Sequence, residues 1–432
     1  MGRREGVEPK SSAPSPPARG EVRKHGWIRE SRLDNGVRVL TERMPGVRSA
    51  AVGVWVRQGG AHEGGEEKGI SHLLEHLVFK GTEKRSAREI SLALESLGGS
   101  LDAYTGREHT SYQARVLGEH VDEALEILSE LVCAPTLRGE DLERERQVVL
   151  EEIATVEDTP DDLVFELHGE RFWAGHALGS PILGTPESVA GLTREALASL
   201  HRERYLRPDL VVAATGHVNH EAVFEAARRR FGHLEGRAER PELPEPRPRR
   251  GGDERVPRET AQTHIVFGTD LPSHADPRRY GLVLLSTAFG GGMSSRLFQR
   301  VREELALAYT VYSYQSFYSV AGLAGVYVGT RPEWGDRAVE AIREEYGRLA
   351  DEGLDPEEVE RTKRQVKGQV MLSLEAPGSR LHRLAAFALY DEPFLTLDEV
   401  LERLDRITPG ELAALAGEFY APDRPFVLRL GG

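Results

Sequence analysis

Along the chain, stretches of period-two hydrophobicity give way repeatedly to stretches of helical period. Residues 37–42 and 51–57 alternate apolar and polar positions, with Val52, Val54 and Val56 on one face, and predict two strands. Ile70, Leu73, Leu74 and Leu77 then form one apolar stripe and predict a helix over 70–79. A second helix is expected over 86–97, opened by a Ser86-Ala87-Arg88-Glu89 capping box and stopped by Gly98-Gly99. Residues 101–105 and 111–117 read as strands and 120–132 as a helix. Residues 142–156 form a longer helix striped by Leu142, Val149, Ile153 and Val156. Pro160 opens a helix that runs to about Phe172, a loop covers 179–186, and helices over 193–205 and 220–231 flank an apolar strand at 209–215. This mixture of hairpin-type strands and helices predicts an α+β fold, each sheet mainly antiparallel and packed with helices, rather than a doubly wound sheet.

The pattern recurs in the second half. Residues 193–205 parallel 408–420 at the same spacing, and Asp141-Leu142-Glu143 parallels Glu358-Val359-Glu360, which sets Glu152 opposite Gln369. The counterpart of the 70–79 helix falls near 284–292, where no ligand-type side chain survives. Two homologous domains from a tandem duplication are expected, at 25–234 and 261–432. Residues 235–260, rich in proline and charge, read as their linker, and 1–24 as a disordered leader whose Ser/Pro run nucleates no core.

The chemistry sits beside the first apolar stripe. His72, Glu75 and His76 recur at helical spacing on a neighbouring face, so both imidazoles and the carboxylate project into one space. Two neutral imidazoles so placed can hold Zn²⁺, and a carboxylate beside them can take a proton from a water. A third ligand is required. Glu145 and Glu152 fall inside the apolar stripe of the 142–156 helix, where a carboxylate is unfavourable unless paired or metal-bound. His62, His109, His168, His176, His201, His217 and His220 lie outside this spacing. The formal charge of −14 argues against nucleic acid as a partner. One cysteine, Cys133, permits no internal disulfide, and no run reaches the roughly eighteen apolar residues of a membrane span, so a cytoplasmic location is expected.

Taken together, His72-Leu73-Leu74-Glu75-His76, Glu152 placed 76 positions after His76, and Glu145 resemble the inverted-motif zinc metallopeptidases of the pitrilysin/insulinase clan. The strand signature at residues 98–110 and the glycine-rich segment at 290–298 fit the same clan. The chain is most similar to bacterial relatives of the mitochondrial processing peptidase β subunit. Asp102 stands where the family usually has Asn, and Glu303-Glu304-Leu305-Ala306 replaces a more basic run.

The resemblance implies a processing-peptidase-like metallohydrolase fold and one zinc per chain, held by His72, His76 and Glu152. It makes Glu75 the general base and Glu145 a residue that orients a ligand. Leu101, Asp102 and Ala103 would dock an extended peptide, with Gly290, Gly291 and Gly292 in a substrate-facing loop. Asp162 and Glu166 would hold a substrate arginine. Arg302 and Tyr309 would reach the substrate carbonyl from a second chain, in a homodimer or a heterodimer with a related subunit. The expected activity is endopeptidase cleavage of unfolded or extended peptides; the alternative is a non-catalytic peptide-binding or assembly subunit.

Overall fold

Among the described residues, twelve strands sort into two sheets because β-branched and aromatic residues cluster in short runs separated by helical stretches. The computed structural model describes residues 22–236 and 242–432, so most of the expected leader lies outside the described residues. The first sheet comprises β1 (Arg23–His25), β2 (Ile28–Arg32), β3 (Arg38–Arg43), β4 (Ser49–Val56), β5 (Ser100–Thr105), β6 (Thr110–Leu117) and β7 (Leu210–Gly216). Their spatial order is β1-β2-β3-β7-β4-β6-β5, antiparallel except for the β3–β7 pair. The second sheet comprises β8 (Asp253–Val256), β9 (Thr263–Leu271), β10 (Ala308–Phe317), β11 (Gly322–Thr330) and β12 (Phe426–Leu430). Its order is β10-β11-β9-β12-β8, again with one parallel pair, β12–β8.

Read outward from the edge hairpin, β5-β6-β4-β7-β3 and β10-β11-β9-β12-β8 follow one topology, the parallel pair included. The fold is a tandem duplication of an α+β unit. In this register β8 is the counterpart of β3, so residues 253–256 open the second repeat although their charges and the neighbouring Pro257 suggest a linker. Residues 237–241 of that segment lie outside the described residues. Strands β1 and β2 add to the far edge of the first sheet, and β1 starts at Arg23, inside the expected leader.

Helices α1 (Ile70–Val78), α2 (Ala87–Glu95), α3 (Val121–Cys133) and α4 (Gly139–Asp158) belong to the first repeat. The expected Ser86–Glu89 capping box opens α2. Helix α5 (Pro160–Phe172) leaves its own repeat and packs on β9 and β12 of the second sheet. Its Val164 and Phe172 are buried there with Val266, Phe426 and Leu428. The equivalent helix of the second repeat, Pro377–Leu389, does the reverse. Its Leu381, Leu384 and Ala388 bury Ile28, Leu40, Trp55 and Val211 on the outer face of the first sheet. Both faces of each sheet are therefore covered, and β7 and β11 are buried along their whole length.

The fit of α5 on the second sheet is close. His168 lies stacked between the Phe172 and Phe426 rings, 5.4 Å from each, and burial holds its imidazole near a pKa of about 4, hence neutral. A Cβ added at Gly268 would stand 2.2 Å from His168 Cε1. Gly268→Ala is expected to destabilise the protein by about 1–3 kcal/mol. Thermal denaturation checks it, and an unchanged midpoint would mean that α5 is not clamped on β9.

Candidate metal centre

Helix α1 has no side-chain cap at its first position, because Gly69 adopts a left-handed conformation (φ 85°). A Cβ there would fall 2.4 Å from the Leu183 carbonyl oxygen, so only glycine lets the two backbones touch. Glu63 caps the helix from outside, accepting from the backbone N–H groups of Gly69 at 2.7 Å and Ser71 at 2.9 Å. Ile70, Leu73, Leu74 and Leu77 then anchor α1 in the first core and fix the direction of the neighbouring polar face.

That face meets α4. His72 Nε2 lies 3.8 Å from Glu152 Oε2, and His76 Nε2 lies 3.7 Å from Glu152 Oε1. Ligand atoms of the three residues all fall within 4.8 Å of one another, the one such cluster among the described residues. Two ligand atoms on a tetrahedral ion with bonds of ~2.0–2.1 Å stand about 3.3 Å apart, so the three fit a single small cation. Burial, and the neighbouring His76, lower the His72 pKa to about 4, leaving the neutral imidazole that a metal requires. Two imidazoles and one carboxylate suit zinc.

Glu145, buried one turn-pair before Glu152 on α4, supports the cluster from behind. Its Oε2 lies 3.2 Å from His76 Nδ1, and its Oε1 lies 2.9 Å from Lys80 Nζ. A carboxylate can only accept, so His76 carries its proton on Nδ1 and turns Nε2 toward Glu152. Glu75 stands on the same face of α1 and accepts from Thr105 Oγ1 at the end of β5. Burial raises its pKa, and the Thr105 bond opposes that shift. Side-chain exposure is 14% for His72 and 18% for His76 but 41% for Glu152, so the cluster opens to solvent beside α4.

Leu101, Asp102 and Ala103 lie on β5, which is the edge of the first sheet with no strand beside it among the described residues. At the tip of the hairpin that β5 forms with β6, Glu108 accepts from Ser319 and Tyr390 of the second repeat. Asp162 and Glu166 both lie on α5 but face different neighbours. Burial pushes the Tyr327 phenol up to about 12, with Asp161, Tyr312 and Asp162 adding to it. Burial also raises the Glu166 pKa, which Arg107 opposes, and Glu166 Oε2 has no hydrogen-bond partner.

Gly290 ends the helix Arg279–Gly290, where a Cβ would stand 2.5 Å from Ser313 N, so close contact with β10 explains the first of the three glycines. Gly291 and Gly292 follow it toward Gln365. Arg302 and Tyr309 are brought to each other: Arg302 donates to the Tyr309 carbonyl at 3.0 Å, and its guanidinium sits 4.1 Å from the ring centroid. Tyr309 occupies a register shift in β10, a bulge that turns its ring outward to 76% exposure. No contact joins this pair to the zinc-type cluster of its own chain among the described residues.

Of the histidines outside the cluster, His201 bonds the Val132 carbonyl and His220 bonds Ser31 and Thr41. Sequence reasoning missed Thr105 and Lys80. Lys80 is four residues beyond His76, a spacing that could have suggested it; the Thr105 contact joins residues thirty apart and left no local trace.

Residues 38–186 match the family profile described as Insulinase (Peptidase family M16), and residues 191–366 the one described as Peptidase M16 inactive domain. An uncharacterized zinc protease of Streptomyces coelicolor is 38% identical over 90% of this chain and 87% of its own. The uncharacterized zinc protease YmxG of Bacillus subtilis is 36% identical, over 93% of this chain and 98% of its own. Among solved structures, a protease from Helicobacter pylori shares the fold with a TM-score of 0.88 at 20% identity, covering 94% of this chain and 99% of that one. A peptidase M16 inactive domain from Pseudomonas fluorescens does so with the same TM-score at 19% identity, covering 94% and 97%. By both profiles and by near full-length relatives above 30% identity, the chain belongs to the M16, or insulinase, family of peptidases.

Proposed function

We propose that the chain is a zinc endopeptidase of extended peptides, holding one zinc per chain between His72, His76 and Glu152. The observation that carries this reading is the convergence of those three ligands, with Glu75 on the same helix face and Glu145 behind His76. Bound zinc supplies a Lewis acid for the scissile carbonyl and lowers the pKa of an attacking water. Glu75 accepts the water's proton and delivers it to the leaving amine. Glu145 and Lys80 keep His76 in one tautomer and one orientation.

Edge strand β5 favours substrates that can add a strand by backbone hydrogen bonds, which demands extended conformation and little sequence. No helix among the described residues is long and apolar enough to cross a membrane. Burial pushes the Cys133 thiol up to about 12, which makes it an unreactive group.

Arg302 and Tyr309 act in trans, as hydrogen-bond donors to the substrate carbonyl at a partner's zinc. The outward bulge at Tyr309 and its exposed ring support this arrangement, and with it a dimer. Asp162 and Glu166 confer a preference for arginine near the cut, in keeping with the resemblance to processing-peptidase β subunits; Glu166 Oε2 is a buried acceptor without a hydrogen-bond partner.

Glu75→Gln is expected to retain zinc and lose about 10²–10⁴ in kcat. Metal analysis with a peptide assay checks it, and near wild-type turnover would overturn the peptidase reading. Profiling a peptide library with Asp162→Ala/Glu166→Ala should show the preference for arginine near the cut abolished; an identical profile removes these residues from specificity. Mixing Glu75→Gln with Tyr309→Phe protein should restore activity as mixed dimers form. Demonstrated subunit exchange without recovery would place the whole site in one chain.

A further inference from the structure

The polar groups that join α1 to the edge hairpin are buried, or half-buried in the case of Glu75, and together they make a closed circuit. Thr105 is the last residue of β5 and pairs with Thr110, the first of β6. Thr110 Oγ1 donates to the Gln58 carbonyl at 2.8 Å, and Gln58 Nε2 donates to Ser71 Oγ in α1 at 3.0 Å. Gln58, Ser71 and Thr110 are all fully buried, and Thr105 is 4% exposed. One turn along α1 from Ser71, the circuit closes where Thr105 Oγ1 donates to Glu75 Oε2. The strand that would receive the peptide and the helix that carries the base are thus joined at two points, one of them the base itself.

A glutamate side chain has three rotatable bonds, and its carboxylate needs one orientation to take a proton from a water in front of it. Among the described residues this carboxylate accepts hydrogen bonds from Thr105, through its hydroxyl and its backbone. One oxygen, Oε2, is engaged by the threonine hydroxyl. The pairing of Thr105 with Thr110 and its burial hold that hydroxyl in place.

We infer that Thr105 is a positioning residue that orients the Glu75 carboxylate for proton transfer, coupling the base to the peptide-docking strand. This rests on the peptidase reading above. Thr105→Val keeps the volume and β-branching that suit the strand and removes only the hydroxyl. Thr105→Ser keeps the hydroxyl and removes a methyl group.

The test compares zinc-loaded full-length wild type, Thr105→Val, Thr105→Ala and Thr105→Ser for kcat and KM on one extended peptide, with zinc content and thermal midpoint measured alongside. Val and Ala are expected to lower kcat about ten- to a hundredfold, with KM within about twofold and zinc fully bound. Ser is expected to stay within about threefold of wild-type kcat, by the same hydrogen-bond accounting. A crystal structure of Thr105→Val should show the Glu75 carboxylate turned from its wild-type position. Should the Val variant fail to fold, the contrast between Ala and Ser reads the same hydroxyl.

Wild-type kcat in the hydroxyl-free variants would overturn the inference. So would a Ser variant as damaged as Val, or a loss confined to KM, each of which makes Thr105 a purely structural or binding residue. Wild type that carries zinc and cleaves no peptide would instead overturn the peptidase reading itself, and this inference with it.

Discussion

Neither sheet can cover both of its apolar faces with the helices of its own repeat, and the exchange of α5 against Pro377–Leu389 supplies what is missing. Everything at the site inherits its position from this mutual covering. Trp55 and Val211 are sealed by a helix that comes from the far end of the chain, while α1, α3 and α4 pack on the other side of the first sheet. The hairpin tip at Glu108 adds a polar tie between the halves, and that tie sits on the same hairpin whose outer strand borders the zinc-type cluster.

Within this frame the cluster gathers two imidazoles and three carboxylates in a partly buried space, which would be strongly unfavourable without compensation. The compensation is visible group by group. Lys80 balances Glu145, Glu145 engages His76, Thr105 engages Glu75, and His72 stays neutral through burial. Glu152 alone keeps substantial exposure, and its two oxygens face the two imidazoles at distances too long for hydrogen bonds and suited to a shared ion. Lys80 and His76 thus account for Glu145 on an otherwise apolar helix stripe, whereas Glu152 has no such partner at hydrogen-bond distance in the cluster.

The sequence made the period-two and period-3.6 segments legible where local pattern decides them, as at β4, at α1 and at the capped start of α2. The candidate ligands His72 and His76 were legible for the same reason, since helical spacing alone aims them together. Residues 253–256 misled because their charges and the neighbouring proline describe a linker, while the strand they form depends on a partner, β12, nearly at the chain's end. The exchanged helices were equally hidden: periodicity tells that Leu381 and Leu384 are buried, and says nothing of which sheet buries them. Gly290 carried a third kind of ambiguity, because a glycine required for contact with Ser313 looks the same in sequence as one in an open loop.

The exchange also has a consequence during synthesis. The strands of the first sheet are complete once Gly216 is made, but the helix that covers Ile28, Leu40, Trp55 and Val211 ends at Leu389. At ~5–20 residues per second a ribosome needs on the order of ten to thirty seconds to bridge that interval. For that time the nascent first repeat presents an uncovered apolar face, and the emerging chain is at its most dependent on chaperones that bind such surfaces.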